Sequence, residues 1–271
     1  WDASPPRPKS PDKTGEKITP ERYADCYRKV REAIHALPDH KNDQVLIGGV
    51  APWNNLTTYP GNPNGDWVQY FRELLELLGK DCDGITLHAY THGTDPDLIQ
   101  SGEKLRHDPF RQYHWHFRAY QDFMQAIPDN MRHLPVYITE TDQGDDPWRN
   151  ENTGWVCKAY EEVDEWNKNN SQQIHCLILY RWPRIDKWYI EGKEGVIEDF
   201  KRALKEGYKP RKEPDEDLRK QVEKLAARVR ELLPAIQRVA EWAEEVTRLQ
   251  QTVDDLAGKI EGAEALFSQL E

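Results

Sequence analysis

The chain has 271 residues, of which 37% are hydrophobic, with a mean hydropathy of -0.92 and a formal net charge of -11. That length holds one large domain, or one domain with an appendage, and the low hydropathy asks for a long polar segment somewhere in it. The acidic balance argues against a nucleic-acid or anionic-membrane partner, and the sequence has no run of about 18 apolar residues to span a membrane.

Residues 1–17, rich in Pro, Lys and Asp, read as an extended loop. Thr19-Pro20-Glu21 combines a capping hydroxyl, a proline at the first helical position and an acid near the positive end of the helix dipole. Tyr23, Tyr27, Val30, Ile34 and Leu37 follow at helical spacing until Pro38 stops the pattern. Residues 45–50 (VLIGGV) form an apolar run of strand length, as expected for a strand covered on both faces. The run opens into a loop with Trp53, Asn54 and Asn55.

Asn64-Gly65-Asp66 leads into a second helix whose apolar face is Val68, Phe71, Leu74, Leu75 and Leu78, with Gly79 beyond its end. Residues 84–90 are the next strand, ending in His88 and Tyr90. Asp108-Pro109 reads as the start of a third helix, with Phe110, Tyr113, Phe117, Tyr120, Met124 and Ile127 as its stripe. Val136 to Thr139 are a short β-branched strand after Pro135. Glu140 stands at its end, and Thr141 to Trp148 form a polar loop. A helix over residues 155–166, a strand over 174–180 leading to Tyr180-Arg181-Trp182-Pro183, and a short helix near 196–205 complete the series.

Residues 19–206 therefore alternate helix and buried strand, which predicts parallel strands joined by crossovers. The loops after the strands are long and rich in Trp, His, Asn and Asp, while those before them are plain. This asymmetry suits a barrel working at the C-terminal ends of its strands, and no Gly-rich phosphate loop follows any strand. From Asp215 the character changes. Leu218, Val222, Leu225, Val229, Leu232, Ile236 and Val239 alternate steps of four and three. The rhythm resumes at Trp242, Val246, Leu249, Val253, Leu256, Ile260, Ala263, Phe267 and Leu270, after one step of three near Pro234. This predicts a coiled coil or long helical hairpin over 212–271, following a first domain over 1–211, with Pro234 kinking or interrupting it. Its narrow seam needs a partner, another copy being favoured.

Four strand ends together resemble the second half of a clan A glycoside hydrolase barrel. Glu140 in Ile-Thr-Glu-Thr matches that family's nucleophile at the end of strand seven. His88-Ala89-Tyr90 matches the His-x-Tyr of strand six, and Trp182 the aromatic floor of strand eight; residues 45–54 would be strand five. The resemblance implies an α/β fold built as a partial TIM barrel, strands five to eight with their helices. It implies retaining hydrolysis of a β-linked glycan, with Glu140 as nucleophile and an oligo- or polysaccharide as substrate. Trp53, Asn54, His88, Tyr90 and Trp182 would bind that substrate. Tyr90 and His88 would supply donors to the carboxylate, and Trp182 and Trp53 would stack on apolar sugar faces.

The same family takes its acid/base from an Asn-Glu pair at the end of strand four, and no such pair ends a strand of this chain. The proton donor is therefore expected from another segment or from a second copy completing the ring. Asp142, Asp145 and Asp146, in Glu140's own loop, are the substitutes within the chain. The alternative function is a non-catalytic carbohydrate-binding or scaffold protein, with a degenerate barrel on an oligomerising coil.

No cofactor and no metal are expected. His114-Trp115-His116 places its two imidazoles on different sides of a helix, and His88 with His92 lacks a third ligand. Asn55-Leu56-Thr57 and Asn169-Asn170-Ser171 are glycosylation sequons of a kind that arises easily by chance. Cys26, Cys82, Cys157 and Cys176 have no CxxC spacing, and their positions favour buried free thiols with disulfides left open. Position 1 is Trp, with neither an initiator Met nor a signal peptide, so the reading is of a processed chain or a piece of a longer one. The compartment stays open, with an extracellular one favoured.

Overall fold

The computed structural model describes residues 17–209 and 216–267, and only part of the side chains in the second of these stretches. The expected N-terminal loop lies, up to residue 16, outside the described residues. The chain divides into two units, Trp1–Arg211 and Lys212–Glu271.

The first unit is α/β. Its sheet has three parallel strands, β1 (Ile85–His88), β2 (Val136–Thr141) and β3 (Ile174–Leu179), in that order, with β2 central. The helices are α1 (Pro20–His35), α2 (Trp67–Leu78), α3 (Ala119–Ala126), α4 (Trp155–Asn169) and α5 (Glu194–Glu206). α3 packs on β1 and α4 on β3; α2 lies against α1 and α3, and α5 against α4. Local chemistry sets the helix starts. The Thr19 hydroxyl accepts the Arg22 amide ahead of Pro20, and Asp66 Oδ1 accepts the amides of Val68 and Gln69 at 2.9 and 3.0 Å. The free oxygen of Asp66 takes the Tyr113 hydroxyl at 2.7 Å, which ties the α2 cap to the loop opposite. Phe71, Leu74 and Leu75 on α2, Ile85 on β1 and Val136 and Ile138 on β2 have no exposed surface.

Three expectations need correction. The sheet is open and is not a barrel, and it has three strands rather than four. Residues 45–50 run beside β1, with one parallel bridge from Val50 to Leu87 and the Ile47 amide on the Gly84 carbonyl. They form no regular strand because side chains take their backbone groups. Tyr27 donates to the Val45 carbonyl, Asp83 accepts the Val45 amide, Thr86 donates to the Ile47 carbonyl, and the Tyr23 hydroxyl accepts the Gly48 amide at 2.6 Å.

The second correction concerns the third helix, which begins only at Ala119. Residues 103–115 instead fold back as a hairpin-like loop, with Leu105 bonded to Tyr113, Trp115 bonded to Glu103 and an antiparallel bridge between Lys104 and His114. The expected stripe is buried all the same except for the half-buried Tyr113, and Phe110 and Tyr113 lean on Trp67 at ring separations of 4.8 and 5.3 Å.

The third correction lies in the second unit. α6 (Glu216–Phe267) is one helix of 52 residues that runs through Pro234 uninterrupted. It is not a hairpin, and no coiled coil is evident among the described residues. Of the expected seam, Leu270 lies outside the described residues, as do the side chains of Leu218, Val222, Val229, Ile236, Val239, Ile260, Ala263 and Phe267. All four cysteines are free, but only Cys82 is buried; Cys157 and Cys176 are half-buried and Cys26 is exposed. No helix among the described residues is long and apolar enough to cross a membrane.

The burial of α2 gives a direct test. Leu74 is fully buried, whereas its neighbour Leu77 is 40% exposed. Leu74→Ala is expected to cost about 2–5 kcal/mol through lost transfer energy and the cavity left behind. Leu77→Ala is expected to stay within about 0.5–1 kcal/mol of the parent. Paired urea denaturation curves measure both; equal effects would mean that α2 presents a different face to the core.

Candidate active site

The parallel register sets the site. Past the end of β1 the ladder continues beside β2: Ala89 and Thr91 donate amides to the carbonyls of Glu140 and Asp142, and on the other side Tyr180 donates to Thr141. The pairing shifts between Leu87 and His88, so that His88 stands opposite Glu140. Glu140 is thus held from both sides at the C-terminal end of the central strand.

Its carboxylate meets two side chains from β1 and the segment after it. The Tyr90 hydroxyl donates to Glu140 Oε1 at 2.8 Å, and His88 Nδ1 lies 3.6 Å from Oε2 and 3.2 Å from the Tyr90 oxygen. Burial, reinforced by the Glu140 charge, pushes the Tyr90 pKa far above its ordinary value, so the hydroxyl keeps its proton and remains a donor. Burial also lowers the His88 pKa against the opposing pull of Glu140. At neutral pH the imidazole is uncharged, and the 3.6 Å approach is a polar contact rather than an ion pair. With the hydroxyl proton directed at Glu140, a proton on His88 Nδ1 completes a chain of donors ending on the carboxylate. Gly49 makes room for this arrangement: a Cβ there would sit 2.6 Å from the His88 ring.

Trp53 adjoins this group. Its backbone adopts φ 60°, unusual for a bulky residue, and its indole donates to the His114 carbonyl at 2.9 Å. The ring lies 6.1 Å from Tyr90, 4.5 Å from His92 and 5.5 Å from Trp115. His92 and Trp115 are stacked at 3.5 Å, and burial lowers the His92 pKa to about 4, which keeps that imidazole neutral. An aromatic wall therefore runs from Tyr90 through Trp53 to Trp115. Trp115 and His92 were not singled out as site residues from the sequence; the clustering of Trp and His in the loops was the only signal.

The structure brings Glu140, His88, Tyr90 and Trp53 together. Asn54 accepts the Leu56 amide and lines a cavity of about 60 Å³ with Tyr23, Gly49, Val50, Thr57 and Tyr70. Trp182 is 58% exposed, its carbonyl accepting the Glu191 amide. Among the three loop acids, Asp145 and Asp146 are exposed and Asp142 is only 4% exposed. Asp142 accepts the Gly144 amide at 2.6 Å, and burial, with Glu140 nearby, raises its pKa to about 7. Gly144, at φ 69°, comes so close to Thr91 that a Cβ there would lie 2.5 Å from its carbonyl oxygen. The sequence's single Asn-Glu pair, Asn150-Glu151, is in the loop before α4, where Asn150 accepts the Gly195 amide.

His114 and His116 are not on a helix. His114 pairs with Asp122 at 2.9 Å, and His116 accepts the His92 amide and lies 3.5 Å from Glu103. No group of three or more metal-ligating side chains could hold an ion among the described residues. Comparison with family models, with curated proteins and with solved structures gives no match to this chain.

The raised pKa of Asp142 predicts a pH dependence of stability. Between about pH 4 and pH 7 the folded chain holds a proton that the unfolded chain has released, so this group's contribution falls as pH rises across that window. Asp142→Asn, which keeps an acceptor for Gly144, removes the dependence. Relative to the parent, the variant should gain on the order of a few kcal/mol between pH 4 and 7. Chemical denaturation at several pH values reads the difference, and a constant difference would show that Asp142 ionises as freely as a surface carboxylate.

Proposed function

We propose that this chain carries the nucleophilic side of a retaining glycoside hydrolase site acting on a β-linked glycan, with Glu140 attacking the anomeric carbon. The observation that carries the reading is the 2.8 Å hydrogen bond from the Tyr90 hydroxyl to Glu140 Oε1 at the C-terminal end of the central parallel strand. A carboxylate nucleophile must stay ionised and be aimed, and Tyr90, a donor that burial prevents from ionising, does both. The aromatic wall beside it offers Trp53 for stacking on apolar sugar faces. The resemblance of four strand ends to the clan A barrel supports the same reading, with β1, β2 and β3 in the places of strands six to eight and residues 45–54 in that of strand five.

Retaining hydrolysis needs a second carboxyl about 5–5.5 Å from the first, across the scissile bond. Asp142 sits two residues further along the same segment, where one strand end does not readily straddle a glycosidic bond. The proposal therefore takes the proton donor from a segment outside these 271 residues, or from a second copy. The open sheet agrees with such a cover: on the edge strand β3, His175 is exposed and Ile178 is 47% exposed.

A 2-deoxy-2-fluoro-β-glycoside with a dinitrophenolate leaving group tests the nucleophile separately from the acid, because that leaving group departs without protonation. The expected result is a glycosyl adduct on the peptide containing Glu140, found by mass spectrometry, and its absence in Glu140→Gln. Tyr90→Phe removes a hydrogen bond to a charged group, worth about 1.5–3 kcal/mol. It should slow labelling by about ten- to a hundred-fold and lower the melting temperature by several degrees without unfolding the chain. An adduct on another carboxylate, or labelling that survives Glu140→Gln, would rule the assignment out.

A further inference from the structure

The second unit carries a line of exposed large apolar side chains. α6 spans 52 residues, about 78 Å, and its described large apolar side chains include a narrow line. Trp242, Val246, Leu249, Val253 and Leu256 follow one another at steps of four, three, four and three, and are 53–66% exposed. Leu225 and Leu232, one heptad apart nearer the start of the helix, are 66% and 52% exposed. A row of large apolar side chains standing in water is the mark of an interaction surface. Over Trp242–Leu256 the repeat of 3.5 residues keeps the row facing a single neighbouring helix for about four turns, while Leu225 and Leu232 precede the step of three that breaks the phase.

The side chains in the row identify the neighbour. Written as heptads, the fully described stretch has Val246 and Val253 at the first seam position, with Leu249 and Leu256 at the second. β-branched residues at the first position and leucine at the second are the combination that packs best in parallel two-stranded coils. There, in register, valine layers alternate with leucine layers; an antiparallel mate would set valine against leucine. The positions flanking this stretch agree. A parallel mate brings Glu245 opposite Gln250 of the following heptad, a pair that can hydrogen-bond without like charges meeting, and Thr252 beside them is neutral.

We propose that α6 docks a second copy of this chain as a parallel, in-register, two-stranded coiled coil through Val246, Leu249, Val253 and Leu256. The pairing is independent of the hydrolase reading and makes each assembled particle carry two copies of the Glu140 site.

Sedimentation equilibrium of the full chain should give twice the 31.8 kDa chain mass. A cysteine placed by Leu256→Cys, in a Cys26→Ser background because Cys26 is exposed, should join to its own equivalent under mild oxidation. That link requires parallel, in-register helices. Leu249→Asp, which sets a charge in the seam, should weaken self-association by about 100-fold or more. The near-UV circular dichroism of the first unit should be unchanged, which separates loss of pairing from loss of folding. A monomer at micromolar concentration, a trimer or larger species, or a dimer in which the introduced cysteines fail to join would each overturn the proposal.

Discussion

The hydrogen bond from Tyr90 to Glu140 is the contact on which the proposed chemistry of the first unit depends, and the sheet register makes it. Tyr90 belongs to the segment after β1, and it reaches Glu140 because Ala89 and Thr91 extend the ladder along β2 beyond the last regular pair. A residue shifted by one along that segment would face the opposite side of the sheet. Electrostatics and geometry then reinforce each other. Burial keeps Tyr90 protonated, the carboxylate it serves makes ionising the phenol costlier still, and a neutral His88 stands behind both. Gly49 completes the arrangement by giving the His88 ring the space a side chain would fill.

The parts of this fold that were legible in the sequence are those whose causes are local. Thr19 with Pro20 and Asp66 before Trp67 mark helix starts by capping chemistry that needs only neighbouring residues. The apolar runs ending in His88, Glu140 and Leu179 read as strands from their own β-branched and apolar composition, although β3 leaves His175 and Ile178 exposed. Residues 45–50 have the same composition and still fail to pair regularly, because Tyr23 and Tyr27, some twenty residues earlier, hydrogen-bond their backbone. The aromatic spacing from Phe110 to Phe117 imitates a helix stripe; burial against Trp67 keeps those residues inside while the backbone turns as a hairpin.

Within the site the same division holds. Glu140, His88 and Tyr90 lie at strand ends, where position in the chain nearly dictates position in space. Asp142 was visible as an acid near Glu140. Its raised pKa was not, because that depends on burial produced by the packing of loops distant in sequence. Trp115 and His92 are 23 residues apart and meet only because the 103–115 loop folds back on itself. The low hydropathy of the whole chain, by contrast, has a simple origin. The first unit buries an apolar core, while the described side chains of α6 are mostly polar and exposed, with Trp242, Val246, Leu249, Val253 and Leu256 as an apolar row among them.

The central claim is that the carboxylate held by Tyr90 faces a sugar. A crystal structure of the Glu140→Gln chain soaked with a β-linked oligosaccharide tests it most directly. The account predicts a sugar ring against Trp53, with its anomeric carbon about 3–3.5 Å from the side chain of residue 140 and the Tyr90 hydroxyl still bonded to that side chain. A ligand lodged elsewhere on the molecule, or a residue 140 side chain turned away from Tyr90, would contradict it.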